Sequence, residues 1–107
     1  MTQFVHLHNH SDYSLLDGAQ TIESLIHRAI ELGMPAIGLT EHGNMFSAVH
    51  FLKTAKKCGI KPVLGCEIYV ADNDRFDKKS REHGGGGYHH LVLLIQNKQG
   101  YLNLIKL

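Results

Sequence analysis

Five residues near the start, His6-Leu7-His8-Asn9-His10, carry three imidazoles at alternate positions. In an extended chain alternate residues share a face, so the three rings can point the same way. Such a face is either an exposed polar rim or part of a metal site, because imidazole is a leading nitrogen ligand for transition metals. Asp17, before Gly18, suits a turn and could also swing a carboxylate toward the same cations. In Thr40-Glu41-His42-Gly43, the Glu-His pair follows an apolar run and suits either a helix start or a ligand role. Glu67 interrupts Val63-Leu64-Gly65-Cys66-Glu67-Ile68-Tyr69-Val70, which otherwise reads as buried on both faces. A carboxylate there is costly unless it meets a cation or a metal, and no arginine adjoins it in sequence. His89-His90 precede a further apolar run, and at most one of the two faces inward. It starts at the wrong end of the sheet if that strand is parallel to its predecessor, and at the right end if it is antiparallel or bent.

These positions need elements to hold them. Phe4 to His8 reads as a short strand, followed by a polar loop to Gln20. Thr21 can cap a helix whose apolar stripe is Ile22, Leu25, Ile26, Ala29 and Ile30, and Gly33 and Pro35 stop it. Residues 36–40 read as a buried strand. A second helix is expected over 45–58, with Ala48, Val49, Leu52 and Ala55 inward and Gly59 ending it. Residues 62–70 form the third strand, 72–88 a polar and mobile loop, 91–95 a fourth strand, and 99–107 a helix that the chain end cuts short. Gly33-Met34-Pro35 and Gly59-Ile60-Lys61-Pro62 each lead into a strand, which suits a repeated strand–helix unit with a parallel sheet. In such folds chemistry sits at the carboxyl ends of strands, where the polar clusters fall.

Composition narrows the alternatives. The 107 residues are 43% hydrophobic and 20% charged, as in an ordinary globular domain, so a disordered tail or a collagen-like repeat is excluded. A formal net charge of +1 does not call for a polyanionic partner. Nine histidines stand against no tryptophan, so histidine chemistry is the feature to follow. Cys58 and Cys66 are too few for a disulfide framework and read as reduced thiols. No secretory leader and no membrane span is recognisable, so a cytoplasmic chain is expected. His27 and His50 fall in helices and read as surface or core residues, and His83 as solvent-exposed. The four glycines from Gly84 to Gly87 lack the Lys-Ser or Lys-Thr of a phosphate loop and read as a flexible stretch.

Mixed imidazole and carboxylate donors suit Zn²⁺, Mn²⁺ or iron, and there are more donors here than one tetrahedral ion takes. That points to a multinuclear site, for which metal-assisted phosphoester hydrolysis is the natural reaction class.

The ordered motifs His6-Leu7-His8-Asn9-His10-Ser11, Ser14-Leu15-Leu16-Asp17-Gly18, Leu39-Thr40-Glu41-His42-Gly43, Gly65-Cys66-Glu67-Ile68-Tyr69 and Tyr88-His89-His90-Leu91 resemble the PHP (polymerase and histidinol phosphatase) superfamily. The Ser-Leu-Leu-Asp-Gly stretch and the closing Asn97-Lys98-Gln99-Gly100-Tyr101-Leu102-Asn103-Leu104 resemble its replicative-polymerase branch more than its stand-alone phosphatases. The resemblance implies an α/β fold, the first part of a distorted (β/α)₇ barrel in β-α-β-α-β-β-α order. Residues 1–107 would be the N-terminal portion of the domain, with the family's later motifs and the polymerase palm, fingers and thumb beyond Leu107. It implies metal ligation by His8, His10, Asp17, His42, Glu67 and His90, with His10, His42 and Glu67 catalytic. His6 and Glu41 are implied to lie near the metals without being first-choice ligands. The implied cofactors are Zn²⁺ and/or Mn²⁺, up to three ions in the complete domain.

The activity implied for the parent is DNA-directed DNA synthesis, with a 3′–5′ exonuclease at the PHP site. The alternatives are a metal-stabilised scaffold that docks a proofreading subunit, and a phosphatase of the histidinol phosphate type. Implied partners are DNA and the proofreading and clamp subunits of a replicase. A partial barrel also leaves sheet edges that favour self-association.

Overall fold

Residues 3–72, 74–76 and 88–107 are described in a computed structural model of the chain. Helix α1 (Ile22–Glu31) starts where the Thr21 hydroxyl accepts a hydrogen bond from the Ser24 amide at 3.2 Å. It stops at Gly33, whose φ of 68° closes the last turn while the Met34 amide bonds the Ala29 carbonyl. Strand β1 (Ala36–His42) follows, then α2 (Ala48–Cys58), β2 (Lys61–Val70), β3 (His89–Leu94) and α3 (Lys98–Lys106). A 3-10 turn, Asp12–Asp17, precedes α1.

The sheet has the order β1-β2-β3. β1 and β2 are parallel, from Ala36 opposite Lys61 to His42 opposite Glu67, while β3 runs antiparallel to β2, from Gly65 opposite Leu94 to Val70 opposite His89. The open question of the fourth strand is thus answered. Its antiparallel direction brings His90 to the carboxyl end of β2, opposite Tyr69 and diagonal to Glu67.

The expected first strand is present only as an extended segment beside β1. The Gly38 amide donates to the His6 carbonyl at 2.8 Å and the Thr40 amide to the Asn9 carbonyl at 2.9 Å. Three residues on one side thus span two on the other, so no regular ladder forms. The Asn9 side-chain amide fills the irregularity, donating to the Gly38 carbonyl at 3.0 Å and the His6 carbonyl at 3.2 Å. Close approach depends on Gly38, where an added Cβ would lie 2.7 Å from the Leu7 Cα. With that segment in first place, the order is β-α-β-α-β-β-α.

The core lies between the two helices and the sheet: Ile22, Leu25, Ile26 and Ala29 from α1, Ile37 and Leu39 from β1, Phe51 and Ala55 from α2, and Ile60. Full burial of a side chain such as Phe51 contributes about 1.5–3 kcal/mol. Ile30, expected in the stripe, is exposed, because the stripe is one residue narrower than the pattern. The inner face of α2 also differs from expectation. Phe51 and Ala55 are buried, whereas Val49 and Leu52 are exposed. The helix begins at Ala48 rather than 45, with Ser47 as its N-cap residue, whose hydroxyl turns inward to Glu41 and makes no capping hydrogen bond. That anchor sets the rotation of α2. In β2 only Gly65, Cys66 and Glu67 are buried, and the strand emerges into solvent at Tyr69 and Val70.

No described helix is long and apolar enough to cross a membrane. Cys58 and Cys66 are free thiols, and burial pushes the Cys66 thiol above its ordinary value. Most of the expected loop over 72–88, with His83 and the four glycines, lies outside the described residues.

Candidate metal centre

Glu67 is 4% exposed and sits at the end of the β1–β2 ladder, beside His42. Four imidazoles converge on its carboxylate. His8 Nε2 lies 2.7 Å and His10 Nε2 2.9 Å from Oε2, with His42 Nδ1 3.5 Å from the same oxygen. His90 Nδ1 lies 2.7 Å from Oε1. The rings of His10 and His42 stack at 3.9 Å. Four separate segments of the chain supply these groups: the N-terminal extension, β1, β2 and β3.

Two sets of donor atoms, His8/His10/Glu67 and His42/Glu67/His90, each lie within 4.8 Å of one another. Both use Glu67. His10 Nδ1 and His42 Nδ1 are buried without a hydrogen-bond partner, which is unusual for imidazole nitrogens. The orphaned His42 Nδ1 beside the shared carboxylate fits a divalent ion of intermediate softness, whereas on His10 the nitrogen that faces Glu67 is Nε2.

Asp17 reaches the cluster through His42, its Oδ2 lying 2.8 Å from His42 Nε2. The turn that delivers it contains Leu15 at φ 56° and ψ −110°, a costly conformation for a branched side chain. Gly18 lets the turn close, since a Cβ there would overlap the Ser11 carbonyl. The Asp12 amide completes the closure on the Gln20 carbonyl at 2.8 Å.

His6 stays outside. Its exposed ring meets Phe4 edge-on at 4.7 Å, because the irregular pairing after it breaks the alternation that would have aligned three rings. Glu41 is 2% exposed and plays a different part from a ligand. It accepts hydrogen bonds from the hydroxyls of Ser11 and Ser14, from the Ser47 hydroxyl at 3.2 Å, and from the Ser11 amide at 3.1 and 3.2 Å. Ser14 Oγ in turn accepts from the His42 amide at 3.1 Å. This serine clamp holds the segment between His10 and Asp17 against β1. Sequence reasoning missed it, although Ser11, Ser14 and Ser47 around a buried-strand acid were its only trace. His27 is exposed, whereas His50 bonds Glu23 at 2.6 Å and faces the Tyr13 hydroxyl at 3.3 Å, linking α2 to α1 and the 3-10 turn.

Burial opposes ionisation of Glu67, but hydrogen bonds from His8 and His90 and the charge of His42 outweigh it and hold its pKa at about 2, from an ordinary 4.5. Burial, reinforced by neighbouring His42, holds His10 below its ordinary 6.5 against the pull of Glu67. Both shifts leave the unfolded chain binding more protons than the folded one, so both lower stability on acidification. In chelator, urea midpoints are therefore expected to fall first as pH drops below 6.5, through His10, and again from 4.5 toward 2, through Glu67. Glu67→Gln is expected to shrink the second fall, leaving a remainder from Glu23, whose carboxyl a backbone hydrogen bond and His50 also hold below its ordinary value. An undiminished second fall in that variant would assign it to other carboxylates.

Residues 6–107 match the family model for the PHP domain. The DNA polymerase III subunit alpha of Treponema pallidum is 52% identical over 105 residues, covering 97% of this chain and 9% of the relative. That of Borreliella burgdorferi is 52% identical over 106 residues, covering 99% of this chain and 9% of the relative. That of Mycobacterium tuberculosis is 45% identical over 117 aligned positions, covering 99% of this chain and 10% of the relative. The chain therefore spans about a tenth of the length of these relatives. Among solved structures, a protein described as a metal-dependent phosphoesterase from Bifidobacterium adolescentis shares the fold. Its TM-score is 0.69 at 19% identity, over 99% of this chain and 33% of that one. A family match that begins at the first histidine motif and runs to the last residue, on a fold whose strand ends gather those motifs, makes this chain a member of the PHP domain family.

Proposed function

We propose that the strand-end cluster holds divalent ions of the zinc or manganese type, and that residues 1–107 are the opening portion of a PHP domain carried by the α subunit of a bacterial DNA polymerase III. The reaction assigned to the rim is hydrolysis of a phosphodiester in the 3′–5′ direction. The observation that carries this reading is the shared position of Glu67 in two donor sets. His8 and His10 would hold one ion with Glu67, and His42 and His90 would hold the other with the same carboxylate. Asp17 completes the set through His42, fixing that ring as carboxylates do for histidine ligands. Such ions, when bound, make water acidic and neutralise charge on phosphate oxygens. The chain's own part is to keep His10 neutral by burial and Glu67 ionised, so that both are ready as ligands near neutral pH. The 45–52% identity to polymerase α subunits supports DNA as substrate, proofreading and clamp subunits as partners, and a cytoplasmic site of action.

The test uses a longer protein that contains the rest of the domain. Loaded with Mn²⁺ or Zn²⁺, it is expected to release nucleotides from the 3′ end of single-stranded DNA, and to lose this activity in His10→Ala and Glu67→Ala. Bound metal without hydrolysis would favour a scaffold that docks a proofreading subunit. Turnover of histidinol phosphate alone would favour a phosphatase. The 107-residue chain by itself is expected to show weak or no turnover and incomplete metal occupancy.

A further inference from the structure

The turn that delivers Asp17 is held from two sides. On its inner side, Glu41 binds the hydroxyls of Ser11 and Ser14. On its outer side, three side chains from three elements stand in a row. The Tyr13 hydroxyl, in the turn, lies 3.3 Å from His50 Nδ1 on α2, and His50 Nε2 lies 2.6 Å from Glu23 Oε1 on α1. The Tyr13 and His50 rings meet edge-on, with centroids 6.1 Å apart at 71°. The Tyr13 carbonyl accepts from the Asn44 side-chain amide at 3.4 Å, and the same amide donates to the His42 carbonyl at 3.1 Å. Tyr13 is therefore tied at its backbone to the carboxyl end of β1 and at its hydroxyl to both helices.

The row has a direction. An ionised carboxylate only accepts, so in a neutral His50 ring Nε2 carries the proton and Nδ1 is left to accept from the Tyr13 hydroxyl. Glu23 suits this role, because a backbone hydrogen bond and the one from His50 hold its carboxyl below the ordinary value. The limb beyond Tyr13 needs such support. Leu15 sits at φ 56°, a conformation that persists only where the surroundings fix it. Leu15 and Leu16 are exposed, so packing among the described residues does little to hold the stretch that ends in Asp17. We propose that His50, oriented by Glu23, is a positioning residue that latches the turn through Tyr13 and so keeps the Asp17 carboxylate on His42. This inference rests on the reading above, in which Asp17 fixes the His42 ring at an ion site. His50 and Glu23 act through Tyr13 and are not ligands.

The test is nuclear magnetic resonance of the 107-residue chain in chelator, at about pH 8, where histidine is ordinarily neutral. The ring-nitrogen signals of His50 are expected to show the proton on Nε2. Tyr13→Phe keeps the ring and removes only the hydroxyl. It is expected to move the His42 ring-nitrogen signals toward their positions in Asp17→Ala. It should also speed exchange of the Asp12 amide, which closes the turn on Gln20, by about 2- to 12-fold, the range for one hydrogen bond. Amides of the β1–β2 ladder should exchange as before. His50→Ala is expected to do the same, and if it does not fold, Tyr13→Phe still decides. Three results each overturn the latch: a His50 ring protonated on Nδ1 instead, His42 signals unmoved in Tyr13→Phe, or equal acceleration at every amide. No ion and no cleavage is read here, so the two proposals fail separately. If the longer protein binds no ion, the metal reading falls while a displaced His42 keeps the latch. Ion binding with an undisturbed His42 in Tyr13→Phe does the reverse.

Discussion

Glu67→Gln is expected to remove divalent-ion binding from both halves of the cluster at once, lowering affinity by at least about 100-fold. Loss of a partner that merely orients a ligand costs 10–100-fold, and a ligand common to two ions should exceed that range. The geometric basis is the pair of donor sets that meet only at Glu67. An amide keeps the shape but brings no charge, and one of its two positions donates instead of accepting. Histidine variants behave differently under the same reading. His8→Ala disrupts the set with His10, and His90→Ala the set with His42, each sparing the other. Metal content after dialysis, measured by mass spectrometry on a longer protein, distinguishes these outcomes. Glu67→Gln should lose both of the ions assigned to these two sets, and each histidine variant should lose one. Retention of full stoichiometry by Glu67→Gln would sink the idea of a bridging carboxylate.

Glu41→Ala is expected to cost about 3–5 kcal/mol of folding stability, the range for an uncompensated break in a buried polar network. Three hydroxyls and one amide converge on this carboxylate, and each buried group left without its acceptor costs about 1–3 kcal/mol. Water entering the space left by the side chain recovers part of that sum. Glu41→Gln, which retains one acceptor while the serine hydroxyls rotate to meet the new donor, should cost less than the alanine variant. Urea unfolding in chelator measures both without a contribution from bound metal. The same variants should also loosen the segment between His10 and Asp17, because Ser11 follows His10 directly and Ser14 bonds the His42 amide. A loss below about 1 kcal/mol for Glu41→Ala would mean that the clamp does not hold the loop.

The two acids show where reading from sequence succeeds and where it stops. Glu67 stood out because a carboxylate in an apolar strand needs a cation or a donor, and that argument is local. Glu41 sits in an equally apolar strand, yet its answer is three serines spread over residues 11–47. Serine is common in loops, so no spacing marked these three as partners. His6 failed in the opposite sense. Its alternation with His8 and His10 is real in sequence, but one extra residue in the pairing with β1 turns it away. Register irregularity depends on the neighbouring strand, which the local pattern does not contain.

Residue types and their spacing settle the set of chemical groups and the order of elements. Hydrophobic period, capping residues and glycine stops are short-range properties, and they located α1, β1 and β2 closely. The histidine and acid motifs carried the PHP family resemblance in the same way. How those groups meet depends on the folded chain. Folding sets the antiparallel direction of β3 that brings His90 to Glu67, the reach of Asp17 to His42, and the rotation of α2 through Ser47. These are long-range choices, fixed by which buried polar group finds its partner across the fold. A burial cost is paired off only once the whole chain has closed around it.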